Sequence, residues 1–187
     1  GYGKRFQQLI YRDWGGGDLR DIEHAVQYLR RLKWVDAERI GLFGASYGGF
    51  AVLSAVSRLS HLEWAAAVDW FGPSNLVSSI LTEPPWWRKM DELTIGDPVK
   101  DYDDLMARSP ITHAEQMRAP LMVVQGALDT RVAKSESDQI VERLRALGVP
   151  VRYDIYPDEG HGFTKRANEL KAAQDTAEFL EEHLLQR

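Results

Sequence analysis

The 187-residue sequence predicts an α/β fold in which a mostly parallel sheet is flanked by helices. Three observations carry that prediction. Four apolar runs of strand length recur at 39–45, 64–71, 120–125 and 151–156, and the segments between them show helical spacing or loop composition. The first run closes on Gly44-Ala45-Ser46-Tyr47-Gly48, a tight turn that opens directly into another helical pattern.

Each element has its own signal. Behind Gly15-Gly16-Gly17, residues 18–34 place Leu19, Ile22, Val26, Leu29 and Leu32 three or four apart. With Asp18 and Asp21 near the start as capping candidates, this predicts an amphipathic helix. Residues 46–58 carry Phe50, Val52, Leu53 and Val56 and predict a helix after the first strand. The stretch 72–119 holds Pro73, Pro84, Pro85, Pro98 and Pro110 together with Trp86 and Trp87. That composition breaks any single helix and predicts loops and short helices over one end of the sheet. Residues 134–147 repeat the helical spacing through Ile140, Val141, Leu144 and Leu147, then stop at Gly148 with Pro150 just beyond. Residues 165–185 predict a last helix with Leu170, Ala173, Ala177, Leu180 and Leu184 on its apolar face. No repeat, linker or low-complexity tract divides the chain, so a single domain over 1–187 is expected.

Composition excludes several classes of function. Lys and Arg number 23 against 28 Asp and Glu, a formal charge of -5, and no segment concentrates the basic residues. Nucleic acid and anionic membrane are therefore poor partners. No apolar run of membrane-spanning length and no basic-plus-apolar leader is present; the expected setting is cytoplasmic. The absence of cysteine removes disulfide frameworks, thiolate metal sites and a cysteine nucleophile together. Asp97, Asp101, Asp103 and Asp104 are dense, yet the run lacks the sixth-position glycine and closing glutamate of a calcium loop, so turns and caps explain it better. H-E-x-x-H, G-x-G-x-x-G and G-x-x-x-x-G-K are all missing, and neither metal nor cofactor is expected.

The chemistry-bearing pattern is G-x-S-x-G at 44–48, extended by Gly49. Serine at a sharp strand-to-helix turn lifts its hydroxyl above the sheet, in a strained backbone conformation expected to leave no room for side chains at the neighbouring glycines. An alcohol of ordinary acidity is a poor nucleophile, so Ser46 needs an imidazole to take its proton and an acid to orient that imidazole. Four of the five histidines suit packed or solvated roles: His24, His61, His113 and His183. His161 lies between Gly160 and Gly162 just after the fourth strand, where a ring is expected to be mobile and accessible, and it is the candidate base. Asp129 follows the third strand through Gly126-Ala127-Leu128, at the same end of the sheet as Ser46, and is preferred as the acid over Asp158, which suits its own turn. The backbone N–H of Tyr47, opening the helix, is the readable oxyanion donor.

These residues and the motifs around them resemble the catalytic domain of the prolyl oligopeptidase family of serine peptidases, in its acylaminoacyl and dipeptidyl peptidase-like branch. The likeness covers nearly the whole chain. It rests on Gly1-Tyr2-Gly3, Asp13-Trp14-Gly15-Gly16, Asp18-Leu19-Arg20-Asp21, the 44–49 motif, the segment from Gln125 to Val132 with Asp129 inside it, and Pro157-Asp158-Glu159-Gly160-His161-Gly162-Phe163. The resemblance implies an α/β-hydrolase-type sheet with Ser46, Asp129 and His161 as triad. It further implies that Tyr47, Trp70, Phe71 and Val132 border the pocket on the acyl side of the scissile bond. Its implied activity is hydrolysis of peptide or acyl-peptide bonds through an acyl-enzyme, with a promiscuous carboxylesterase or a catalytically silent subunit as the alternatives. Gln125 stands where relatives often have histidine, a departure of minor expected effect.

The family carries a β-propeller before this domain, and several strands before the Gly-Tyr-Gly segment, including a loop that supplies a second oxyanion donor. By that resemblance the chain lacks those N-terminal strands, and strand 39–45, interior in the complete sheet, becomes an edge. Unpaired backbone groups beside apolar surface are a template for pairing. The expected partners are therefore a second copy, forming a homo-oligomer, or a missing N-terminal fragment, in addition to a peptide, acyl-peptide or ester substrate.

Overall fold

A computed structural model describes residues 1–185; the last two residues of the expected 1–187 domain lie outside the described residues. Its centre is a parallel sheet in the order β1 (Gly41–Ala45), β2 (Ala66–Trp70), β3 (Leu121–Gly126) and β4 (Val151–Tyr156). Because all four strands run the same way, their C-terminal ends share one rim, where ligands of open α/β sheets bind. Four elements precede or follow directly in sequence: α1 (Lys4–Gln7), α2 (Gly17–Leu29), α3 (Tyr47–Arg58) after β1, and α8 (Arg166–Leu185) after β4. Between β2 and β3 lie α4 (Leu76–Thr82), α5 (Arg88–Thr94) and α6 (Tyr102–Arg108) with a 3-10 segment at Pro110–Gln116, and α7 (Lys134–Ala146) joins β3 to β4.

Alternation along the two central strands explains the layers. Ala67, Leu121 and Val123 meet Val52, Leu53 and Val56 of α3, Ile140, Val141 and Leu144 of α7, and Leu19 and Val26 of α2. Their neighbours Val68, Met122 and Val124 turn the other way, onto Ala172 and Phe179 of α8. Both faces are thus covered, which is why β2 and β3 read as near-continuous apolar runs, interrupted by Asp69 and Gln125. Each fully buried Leu, Val or Phe contributes roughly 1.5–3 kcal/mol. A third cluster, Phe50, Leu76, Val77, Ile80, Ile95 and Leu105, packs the β2–β3 excursion against α3, so that segment has its own core despite its prolines.

Three expectations shift. The helix expected over 18–34 ends at Leu29 and continues as single turns, Arg31 N–H to Tyr28 O and Leu32 N–H to Leu29 O. Apolar spacing of three cannot distinguish such turns from α-helix. On α8 the buried side is Ala172, Thr176 and Phe179, with Leu180 and Leu184 packed beside it, while Leu170 is 58% exposed and Ala173 and Ala177 face out. Alanine discriminates a helix face poorly, and the large Phe179 decides the rotation. Asp18 is not the cap: it lies within the first turn of α2, and Asp13 accepts the Gly17 N–H at 2.7 Å.

β1 pairs with β2 on one side and with no other strand among the described residues. Phe43 on this edge is 55% exposed. Also among the described residues, no helix is long and apolar enough to cross a membrane, and no group of three or more His, Asp or Glu side chains is placed to hold a metal ion.

Candidate active site

β1 ends at Ala45 and α3 begins at Tyr47, so Ser46 alone makes the connection. It does so at φ 59°, ψ -121°, a conformation that costs a non-glycine residue of order 1–3 kcal/mol. Backbone bonds on both sides hold it: Ser46 N–H donates to Trp70 O at 2.9 Å, and Ser46 O accepts from Phe50 N–H at 3.1 Å. A Cβ at Gly44 would lie 2.2 Å from the Gly48 carbonyl oxygen, and one at Gly49 would lie 2.2 Å from Asp69 Oδ1 and 2.7 Å from Gly72 Cα. Gly48 differs from the expectation that every motif glycine is crowded, since a Cβ there meets nothing within 4 Å. What the turn demands is that the Gly48 carbonyl have room at Gly44, and that the first turn of α3 approach the β2 turn at Gly49.

The structure brings Ser46, His161 and Asp129 together. His161 Nε2 lies 2.8 Å from Ser46 Oγ, and Nδ1 lies 2.8 Å from Asp129 Oδ2. The three come from the C-terminal ends of β1, β4 and β3 respectively. Asp129 is fixed independently of the histidine: its Oδ1 accepts Arg131 N–H at 2.8 Å and Val132 N–H at 3.0 Å. Its side chain is fully buried, whereas the imidazole is 13% exposed. The His161 ring is thus neither mobile nor freely accessible, contrary to what its glycine neighbours suggested. It is gripped at both nitrogens and backed by the Phe71 ring at 4.8 Å.

Two supports of this arrangement were not identified from sequence. Gln125, wholly buried at the end of β3, points Nε2 at Asp129 Oδ2 (3.4 Å), donates to the Gly126 and Val132 carbonyls, and accepts Ser137 Oγ–H at 2.8 Å. A polar residue inside an apolar strand run was the available signal. Glu159 is 1% exposed and holds the histidine loop to the start of α8. It accepts Thr164 N–H (2.8 Å), Lys165 N–H (3.0 Å) and Asn168 Nδ2–H (2.8 Å), while its own carbonyl accepts Leu128 N–H from the Asp129 loop.

Those hydrogen bonds, led by Thr164 N–H, pull the Glu159 carboxyl from 4.5 down to about 2. A depressed carboxylate stabilises the fold fully above its ordinary value, and the contribution fades as pH falls towards the folded-state value. Glu159→Gln is therefore expected to lower the melting temperature at pH 7 and to lose less than the parent protein on acidification. Thermal unfolding followed between about pH 7 and pH 2 checks this, and parallel curves for the two proteins contradict it.

The remaining candidates separate. Asp158 is exposed and pairs with Lys165 and Asn168, away from the imidazole. Tyr47 is the first residue of α3, so its N–H is among the helix donors that have no intrahelical acceptor. Its ring stands edge-on to Trp14 at 4.8 Å, and its hydroxyl donates to Asp18 Oδ2. Burial first, then that carboxylate, hold the phenol well above its ordinary value. Val132 is buried beside Asp129, and Phe71 is buried against His161. Trp70 turns to the α8 side, where its indole N–H donates to Thr176 Oγ1 at 3.1 Å and its ring meets Phe43 and Phe163 edge-on. A cavity of 740 Å³ lined by Arg30, Glu38, Ser60, Trp64 and Arg118 lies near the strand entrances, the rim opposite Ser46.

Comparison with known proteins places this geometry in a family context. Dipeptidyl aminopeptidase BIII of Pseudoxanthomonas mexicana is 38% identical over 185 residues, which are 96% of this chain and 27% of that protein. Dipeptidyl-peptidase 5 of Porphyromonas gingivalis is 32% identical over 91% of this chain and 25% of its own length. Among solved structures, Pyrococcus horikoshii acylaminoacyl peptidase superposes with a TM-score of 0.90 at 28% identity over 98% of this chain and 30% of that one. A puromycin-hydrolyzing peptidase of Mycobacterium tuberculosis gives 0.92 at 26% identity over 99% and 28%. The chain spans about a quarter of the length of these curated relatives. The sheet is therefore that of an α/β-hydrolase, and since the sequence pattern of the prolyl oligopeptidase family matches residues 1–187 throughout, the chain belongs to that family.

Proposed function

We propose that this chain is the nucleophile-bearing unit of a serine peptidase that cleaves peptide or acyl-peptide bonds through an acyl-enzyme. The observation that carries the reading is the unbroken pair of 2.8 Å contacts from Ser46 Oγ through the His161 ring to Asp129. Relatives named as dipeptidyl and acylaminoacyl peptidases support the substrate class.

In this mechanism His161 Nδ1–H donates to Asp129, which leaves Nε2 as the acceptor of the Ser46 proton. Ser46 Oγ attacks the carbonyl carbon, its proton passes to Nε2, and the negative charge that develops on the carbonyl oxygen meets the Tyr47 N–H at the positive end of α3. The imidazolium, stabilised by Asp129, then protonates the leaving amine. Water completes the cycle in reverse. Phe71, Val132 and the Tyr47 ring form the acyl-side wall, while Trp70, expected there too, is turned to the α8 side. Fluorophosphonate labelling followed by peptide mapping tests the assignment: modification at Ser46 supports it, and a folded protein that does not label there overturns it. Rates on dipeptidyl and acylaminoacyl amides against short p-nitrophenyl esters distinguish peptidase from esterase.

The same reading treats residues 1–187 as one domain of a cytoplasmic protein and gives the open side of β1 a partner. Among the described residues no strand pairs with that side, and Phe43 is exposed on it, so a strand from elsewhere in a longer polypeptide, or from a second copy, completes the sheet. Light scattering on the isolated 187 residues is expected to show association. A stable, well-folded monomer contradicts it.

A further inference from the structure

The turn after β2 touches both ends of the proposed relay. The Trp70 carbonyl accepts the Ser46 N–H at 2.9 Å, and the next residue, Phe71, lays its ring 4.8 Å from the His161 imidazole. Phe71 holds φ 44°, a left-handed conformation disfavoured for a bulky side chain. Two backbone donors secure it: Phe71 N–H to Val124 O at 2.8 Å and Gly72 N–H to Asp69 Oδ1 at 2.9 Å. Asp69 is wholly buried, and its Oδ2 has no hydrogen-bond partner among the described residues. The same carboxyl is wedged against the first turn of α3, because a Cβ at Gly49 or Gly72 would lie 2.2 Å or 2.6 Å from Oδ1.

We propose that Asp69 is a positioning residue of this site, tying the Trp70–Gly72 turn to the first turn of α3 and so fixing Ser46 and the His161 ring relative to each other. The proposal rests on the roles given to Ser46 and His161 above. It has a consequence for pH. Burial, opposed by the Gly72 N–H, pushes the carboxyl up to about 8, so at neutral pH Asp69 is an uncharged acid. Its strand neighbours in register, Gly44 and Val123, and Gly49 above it cannot titrate. Among the described residues, the Tyr153 phenol on β4, itself bonded to Asp138, is raised chiefly by burial and in small part by Asp69. Ionisation places an uncompensated anion behind the first N–H groups of α3, where an oxyanion must be stabilised, and strains the packed turn that carries Phe71.

Asp69→Asn retains the shape and the oxygen that accepts Gly72 N–H but cannot ionise. In the intact protein with ¹³C-labelled histidine, the His161 resonance, assigned with His161→Gln, is expected to show an inflection at about pH 8 in the parent and none in Asp69→Asn. The rate of fluorophosphonate labelling is expected to fall about tenfold per pH unit above that point in the parent alone. An inflection and a falling limb that persist in Asp69→Asn, or that are missing from the parent, overturn the proposal. If the parent does not label at any pH, the reading of Ser46 fails, while the histidine resonance still decides the role of Asp69. Should Asp69→Asn not fold, the infrared carbonyl band of a protonated carboxylic acid in isotope-labelled parent protein decides instead. Its loss together with the His161 shift supports the coupling, and its absence at pH 6 overturns it.

Discussion

Replacing Ser46 with alanine is expected to lower kcat by on the order of 10⁶-fold on a peptide amide, with His161→Ala falling by a similar factor and the double variant no further. The expectation follows from the geometry of one shared proton. Oγ and Nε2 are 2.8 Å apart and no step of acyl transfer uses one without the other, so removing either removes the whole covalent route. What remains is substrate binding and the Tyr47 N–H, which together sustain a residual rate above that in water. The small side chain of alanine fits the Ser46 position, and its positive φ burdens alanine about as much as serine, so the fold is expected to survive; circular dichroism checks that. Additive losses in the double variant would show that the two residues act in separate steps, and retained activity in Ser46→Ala would move the nucleophile elsewhere.

Much of the sheet was legible because burial on both faces leaves little freedom: β2 and β3 are apolar apart from Asp69 and the Gln125-Gly126 end, Ala66–Trp70 falls inside the apolar run 64–71, and Leu121–Gly126 overruns the run 120–125 by one residue. The G-x-S-x-G motif was legible for a different reason, that few backbones other than a strand-to-helix elbow need glycine at such spacing. Its sequence did not reveal which glycines are crowded, since the contact at Gly49 is with the turn at Gly72, far away in the chain. The same limit applies to the supports. Asp69, Gln125 and Glu159 act through hydrogen bonds to groups that only folding brings near; a polar residue inside an apolar run marks Asp69 and Gln125 as unusual, but nothing in local spacing names their partners. The rotation of α8 was lost because three of the five residues that set the expected face compete with a single phenylalanine, and contact area decides. His161 shows the converse: glycine neighbours describe a free loop, but two hydrogen bonds and the Phe71 ring remove that freedom.

Asp129→Asn is expected to lower kcat at neutral pH by about 10⁴-fold while leaving the side chain in place. The Oδ1 position must remain an acceptor, since the Arg131 and Val132 N–H groups both point at it from 2.8 and 3.0 Å. An asparagine therefore has to put its carbonyl oxygen there and its NH₂ where Oδ2 stood, facing His161 Nδ1 at 2.8 Å. That NH₂ donates, so Nδ1 becomes the acceptor and the ring proton moves to Nε2. A protonated Nε2 cannot take the Ser46 proton. The imidazole keeps its position and loses its function as a base, which separates this loss from one caused by disorder of the loop. The Gln125 Nε2 group at 3.4 Å sharpens the effect, because it too is a donor aimed at the Oδ2 position and cannot pair with an amide nitrogen. Nitrogen-15 chemical shifts of the His161 ring distinguish the tautomers directly. A parent-like tautomer with full activity in Asp129→Asn would mean that Asp129 holds the 129–132 turn and has no part in orienting the base.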